Sequence, residues 1–196
     1  MASHASAEVR RGQILLAAQS CFSKTGYHKT KMDDIVAAAG LSKGSIYLHF
    51  KSKDDVFLAL FDEFERQILS EWDDLADESA LETLRRESEI VLDVLLADRG
   101  LVEMWSEFLK HPLARERFAE VYRQSRTRLG ATIEAGIDAG ELRPCDPLHA
   151  AAALTALIEG LLLQALADPE FDPRAAWPTS WEIASGGLAV DASQST

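Results

Sequence analysis

Residues Thr30–Lys53, TKMDDIVAAAGLSKGSIYLHFKSK, decide the reading of this chain. Thr30 followed three residues later by Asp33 is a T-x-x-D pattern, in which a hydroxyl and a carboxylate satisfy the first free N–H groups of a helix. The helix it opens carries Ile35, Val36 and Ala39 on one face and is stopped by Gly40, a residue suited to the left-handed position after a helix end. Leu41 leads to Ser42, the cap expected for a second helix. That helix buries Ile46 and Phe50, one turn apart, and leaves Lys43, Ser45, Tyr47 and His49 on other faces. Ser52 and Asp55 repeat the capping pattern and open a long helix to about residue 75, with Val56, Phe57, Leu60, Phe61, Phe64, Ile68 and Trp72 as its apolar positions.

Two short helices around a glycine turn make a helix-turn-helix, whose second helix fits the major groove of B-DNA, or else an αα-corner of an ordinary helical protein. The choice falls to the first because Gly26, Tyr27, Thr30, Ile35, Ala39, Gly40, Leu41, Ser42, Lys43, Gly44, Ile46, Tyr47, His49, Phe50, Lys51, Ser52 and Lys53 together resemble the N-terminal signature of the TetR family of transcriptional regulators. Val36 departs from that pattern, which commonly has alanine there. The resemblance implies an all-α protein: a three-helix DNA-binding domain over residues 1–53 and a helical effector-binding and dimerisation domain over 54–196. It also carries DNA contact onto Thr30, Lys31, Ser42, Lys43, Gly44, Ser45, Tyr47, His49 and Lys53. Chemistry supports each assignment. Thr30, Ser42 and Lys53 fall at expected helix starts, which favour phosphate, and Lys43 and Ser45 fall in the first turn of the recognition helix. Glycine at 44 permits close approach, and Tyr47 and His49 can donate to phosphate oxygens.

Charge is distributed to match. The chain as a whole is acidic at −12, yet residues 1–53 hold eight Lys and Arg against Glu8, Asp33 and Asp34, a formal +5 that leaves −17 on the rest. A basic head on an acidic body draws phosphate to one end only. No run of eighteen consecutive apolar residues and no basic leader occurs, from which a soluble cytoplasmic protein without membrane contact is expected. Cys21 and Cys145 are far apart, and no clustered Cys/His spacing suggests a metal, so neither metal nor cofactor is expected. Nor is an enzyme: G-x-S-x-G, H-E-x-x-H and phosphate-loop patterns are missing, and His111 and His149 are separated by a helix boundary.

Upstream of the quoted stretch, residues 1–7 read as an unstructured arm with Arg10 and Arg11 at its edge. Residues 7–23 read as a helix with Ile14, Leu15, Ala18, Cys21 and Phe22 on one stripe. Downstream, helices are expected at 81–97, 99–110, 113–139, 147–167 and, more weakly, 179–190, with 168–178 (DPEFDPRAAWP) as a loop or a broken helix. Asp146-Pro147 supplies the N-cap and first position of the helix 147–167, which is apolar nearly all round and so needs cover on more than one side. The resemblance implies that a second subunit provides part of it, through Leu154, Leu157, Ile158, Leu161 and Leu162.

The body's aromatic content is its second feature. Phe57, Phe61, Phe64, Met104, Trp105, Phe108, Phe118 and Tyr122 recur at helical spacing, which packing alone would explain; the resemblance implies that they enclose a small-molecule pocket. Glu103 and Glu107 beside Trp105 suggest a cationic or aromatic effector. The body is diffusely similar to the betaine and choline regulators of the family, in AGELRPCD (139–146) and in Trp105-Ser106-Glu107-Phe108. The function expected is therefore a repressor that binds a palindromic operator as a homodimer and leaves it on binding an effector. The alternative is a helical protein-interaction module that binds neither DNA nor effector.

Overall fold

The computed structural model describes residues 2–73, 79–97, 99–112 and 114–190, with the side chains of all of these except 2–6, 73, 99–101, 105, 107 and 108. Among them the elements are helices α1 (Ala2–Thr25), α2 (Met32–Ala39), α3 (Lys43–Tyr47), α4 (Lys53–Asp73), α5 (Ala80–Leu96), α6 (Arg99–Lys110), α7 (Arg115–Asp138), α8 (Pro147–Ala167) and α9 (Pro173–Gly186). The described residues hold no strand, only an isolated antiparallel bridge between Leu142 and Ala189. The expectation of an all-α chain is met.

Packing divides the chain into two compact units, Met1–Gln67 with Leu96–Arg115, and Ile68–Leu95 with Glu116–Thr196. This division differs from the one expected after Lys53. The first turns of α4 bury inside the first unit, where Phe57 lies 4.2 Å from the Tyr27 ring and 5.5 Å from the Phe22 ring.

The first unit is built on the α1 stripe of Ile14, Leu15, Ala18 and Phe22, all buried, against Ile35, Ala39, Ile46, Phe50, Val56 and Leu60. Helix α1 starts at Ala2, not near Ala7 as expected, because no proline interrupts residues 2–25. At the other end of α2, Gly40 takes φ 64° as anticipated, and the Gln13 amide donates to the Ala39 carbonyl at 2.9 Å, satisfying an end group that the helix leaves free.

The second unit centres on Leu84, Leu129, Ile133, Leu142, Ala151 and Leu154. Gly136 of α7 allows the closest approach in it: a Cβ there would lie 2.5 Å from Ala80 Cβ and 2.8 Å from Leu142 Cδ1. Gly140, at φ 74°, turns the chain out of α7, and the Glu141 and Leu142 N–H groups both return to the Gly136 carbonyl. Glu141 then accepts from the Ala80 N–H at 2.7 Å and so caps α5 from sixty-one residues away.

Two expectations are revised in α8 and α9. Of the run 168–178, expected as a loop or a broken helix, residues 173–178 are helical. Asp172 accepts from the Arg174 N–H and Pro173 takes the first position, a start signal hidden in a proline cluster, while Pro178 is carried inside the helix. Leu154, Ile158, Leu161 and Leu162 are buried within their own chain, so four of the five residues expected at a subunit interface are core; only Leu157 is half-exposed. By length and hydropathy α8 could cross a membrane, but this inward stripe and the Asp146 cap, which accepts from the His149 N–H at 2.9 Å, are also those of a core helix.

Candidate functional site

The site expected at α2 and α3 separates into residues that face out and residues that hold the frame. The frame comes first. Thr30 is 1% exposed. Its hydroxyl donates to the Gly26 carbonyl at 2.8 Å and stands 2.8 Å from the Thr25 hydroxyl, so this side chain is not offered to phosphate, and the expected Thr30–Asp33 cap is corrected. The cap lies one residue later, where the Asp34 carboxylate accepts from the Lys31 N–H at 2.8 Å. Lys53 is corrected likewise. Its ammonium donates to the Tyr27 carbonyl at 2.7 Å and the Thr30 carbonyl at 2.9 Å, and it lies 4.2 Å from the Tyr27 ring centre. Partial burial lowers its proton affinity.

Around that lysine sits a cluster the sequence did not reveal. The Tyr27 hydroxyl donates to Asp54, and burial with this bond pushes its ionisation well above the usual range. His111, just beyond α6, packs edge-on against Tyr27 at 5.3 Å, with Nε2 3.9 Å from Asp54 Oδ1. The turn after α1, the start of α4 and the residue after α6 thus lock together behind the helix-turn-helix.

The outward face belongs to α3. Ser42 caps it, its hydroxyl accepting from the Ser45 N–H at 3.2 Å as expected. Helix α3 ends at Tyr47, earlier than expected, and the turn continues through the His49 and Phe50 N–H bonds to Ile46. Ile46 and Phe50 are buried; Ser42, Lys43, Gly44 and Tyr47 are exposed, and Ser45 and His49 are half-buried. Leu48, 85% exposed, sits beside them. Lys31 is also exposed. Lys43 pairs with Asp33 of α2 at 2.6 Å, and the hydrogen bond to that carboxylate raises its proton affinity, so the ammonium stays charged. Gly44 has open space where a Cβ would point, so its own fold does not ask for glycine. Arg11 of α1 lies over the Phe50 ring at 5.6 Å.

The aromatic residues expected to enclose one pocket fall into separate groups. Phe57 and Phe61 are fully buried and Phe64 nearly so. Phe57 is walled by Phe22, Tyr27 and His111, which makes it core of the first unit rather than pocket wall. Met104 lines a cavity of about 310 Å³ in the same unit with Phe22, Tyr27, His28, Lys29 and Glu103. The side chains of Trp105, Glu107 and Phe108 lie outside the described residues. In the second unit, Phe118 is buried 5.8 Å from the Tyr122 ring, and the Tyr122 hydroxyl donates to Glu159 of α8. Nearby in sequence, but missed in its reading, Glu87 of α5 is 2% exposed and paired with Arg128 of α7 at 3.0 Å. Its signal was register: Glu87 falls on the 3.6-residue stripe of Ala80, Leu84, Val94 and Leu95, inside a charged run.

On α8 and α9 an open groove of about 470 Å³ is lined by Ala150, Ala153, Leu157, Ile183, Ala184 and Leu188 among others, with Ile183 74% exposed. No group of three or more His, Cys, Asp or Glu among the described residues could hold a metal ion.

Comparison with known proteins bears on both units. Residues 14–60 match the model of bacterial regulatory proteins of the tetR family, and residues 80–180 match that of the BetI-type transcriptional repressor C-terminal domain. The HTH-type transcriptional regulator YhgD of Bacillus subtilis is 30% identical over 146 residues, spanning 70% of this chain and 74% of that one. A putative transcriptional regulator from Saccharomonospora viridis in complex with choline superposes with TM-score 0.78 at 26% identity, over 92% of this chain and 97% of that one. The SmeT–triclosan complex does so with the same score and identity, over 94% and 93%.

Proposed function

The chain belongs to the TetR family of bacterial transcriptional regulators, and from that premise we propose that it binds a palindromic DNA operator as a homodimer and is released by a small-molecule effector. As a member of that family it is a regulator and not an enzyme, which displaces the alternative of an interaction module. Lys31, Ser42, Lys43, Gly44, Ser45, Tyr47 and His49 form the DNA-facing set in this reading. Thr30 and Lys53 keep the frame.

One observation carries the proposal. A five-residue helix buries Ile46, with Phe50 buried just beyond it, and turns Ser42, Lys43, Gly44 and Tyr47 to the outside, within the segment 1–53 that carries a formal +5. Such a helix can enter a major groove with its first turn at the base edges. Two copies are required, because one recognition helix reads only a half-site and paired half-sites recur about 34–36 Å apart. The groove of α8 and α9, with Leu157 and Ile183 in its lining, supports that pairing. An effector is supported by two similar structures solved as complexes, one with choline and one with triclosan. Acting on DNA, the protein works in the cytoplasm. As a repressor it lowers transcription where its operator overlaps a promoter.

Gel shift tests the reading: a palindrome from DNA flanking the gene should bind with one dimer, lose affinity steeply between low and moderate salt, and be released by a compound that binds the body. Salt-independent binding, or a monomer in sedimentation, would refute it.

A further inference from the structure

Trp72 of α4, Glu87 of α5 and Arg128 of α7 meet in the second unit. The Trp72 indole N–H donates to the Glu87 backbone carbonyl at 2.9 Å. Arg128 Nε donates to Glu87 Oε1 at 3.0 Å, and its guanidinium lies 5.2 Å from the centre of the Trp72 ring. The adjacent Ser88 hydroxyl is engaged with the Leu84 carbonyl at 2.7 Å. Glu87 Oε2 is buried and has no hydrogen-bond partner among the described residues.

A buried carboxylate with one oxygen unmatched is expensive to keep ionised. The guanidinium fork can meet both oxygens of a carboxylate, and here it meets Glu87 at Oε1 through Nε, leaving Oε2 to another donor. Exposure separates the partners. Glu87 and Trp72 are 2% and 4% exposed, whereas the Arg128 side chain is 34% exposed and can move towards water. The arrangement is an acid and an aromatic face held in the interior, with a more exposed cation against both.

We propose that the effector carries a protonated primary or secondary amine, which takes the place of the Arg128 guanidinium between Glu87 and Trp72. The inference rests on the reading of the chain as an effector-responsive regulator and names the chemistry of that effector. Exchange of one cation for another keeps the charge of the site constant. An ammonium with two or three N–H groups reaches both Glu87 oxygens and can still lie against the indole. A quaternary ammonium can use the ring but cannot donate to Oε2. A neutral alcohol leaves the carboxylate uncompensated once Arg128 moves, and an anion is repelled.

The test is calorimetric titration of the full-length protein with hexylammonium, hexyltrimethylammonium, 1-hexanol and hexanoate, four probes that share a chain and differ in the head. Hexylammonium should bind roughly tenfold or more tightly than the others, the size expected of a hydrogen bond to a charged group. Glu87→Gln should remove that preference. Should this variant not fold, the ranking of the four probes on the parent decides alone. Equal affinity for hexylammonium and hexyltrimethylammonium, or a preference that persists in Glu87→Gln, would overturn the proposal. Release of operator by hexanol or hexanoate but not by either cation would overturn it too, while leaving the effector-responsive reading standing. Operator binding that no compound alters would fail both.

Discussion

Lys43 Nζ lies 2.6 Å from Asp33 Oδ1, so the cation at the first turn of the recognition helix is held by a carboxylate of the preceding helix. In the proposed complex, DNA phosphate would compete with Asp33 for that ammonium. Both side chains are well exposed, so the pair contributes little to folding and much to the local potential. Asp33→Asn should therefore tighten operator binding, and Lys43→Ala should weaken it by on the order of tenfold. Gel shifts in the same buffer measure both; weaker binding by Asp33→Asn would place Lys43 away from the DNA.

Gly44→Ala separates folding from recognition. The position has room for a methyl and an alanine favours helix by about 0.5–1 kcal/mol, so the urea midpoint should hold or rise. Operator affinity should fall, because the added methyl stands where the DNA approaches. Unchanged affinity would mean that no partner comes close to Gly44.

Thr30→Val and Lys53→Met should do the reverse. Valine leaves the Thr25 hydroxyl and Gly26 carbonyl without the Thr30 hydroxyl, and methionine leaves the Tyr27 and Thr30 carbonyls without their donor. Each should lower unfolding free energy by about 1–3 kcal/mol in urea titration. Fully stable variants that failed only in DNA binding would return both residues to the contact surface.

Assembly is tested by contrast. Leu157→Glu with Ile183→Glu, both on the open groove, should give folded monomers in sedimentation, while Leu161→Glu, buried in its own subunit, should fail to fold. A stable dimer from the double variant would move the interface elsewhere.

Burial raises the Glu87 carboxyl above its ordinary value of about 4.3, against the pull of Arg128. The folded state then binds a proton more readily than the unfolded chain, so this group's contribution to stability falls as pH rises through the folded pKa. Relative to Glu87→Gln, the parent should gain stability on going from pH 7 towards pH 5. Parallel pH profiles of the two proteins would place the folded pKa at its unfolded value.

The sequence was most legible where local chemistry and tertiary role agree. Ser42, Gly40, Gly140 and Asp146 each act as the residue type suggests, and Ile46 and Phe50 are buried as their spacing requires. It misled where one pattern serves two structures. Thr30 looked like a cap but satisfies a turn, and Pro173, in a run read as loop or broken helix, opens α9. A helix as apolar as α8 does not say which side its own chain covers, so Leu154, Ile158, Leu161 and Leu162 were assigned outward when they point in. Glu87 and Arg128 lie in charged runs, where nothing in the charge pattern singled them out.

The inward grip of Lys53 on Tyr27 and Thr30 has a consequence for how such a head can change over time. Side chains that fix the shape and side chains that meet the outside occupy different positions, so drift at Ser45, Tyr47 or His49 leaves the scaffold intact. A new binding preference is then open to single steps. By contrast, Lys53 holds two carbonyls more than twenty residues away, and its loss has to be matched by a second change. The same division makes this stretch suited to grafting: the reading face of a sister protein could be transplanted at those few positions without rebuilding what lies beneath.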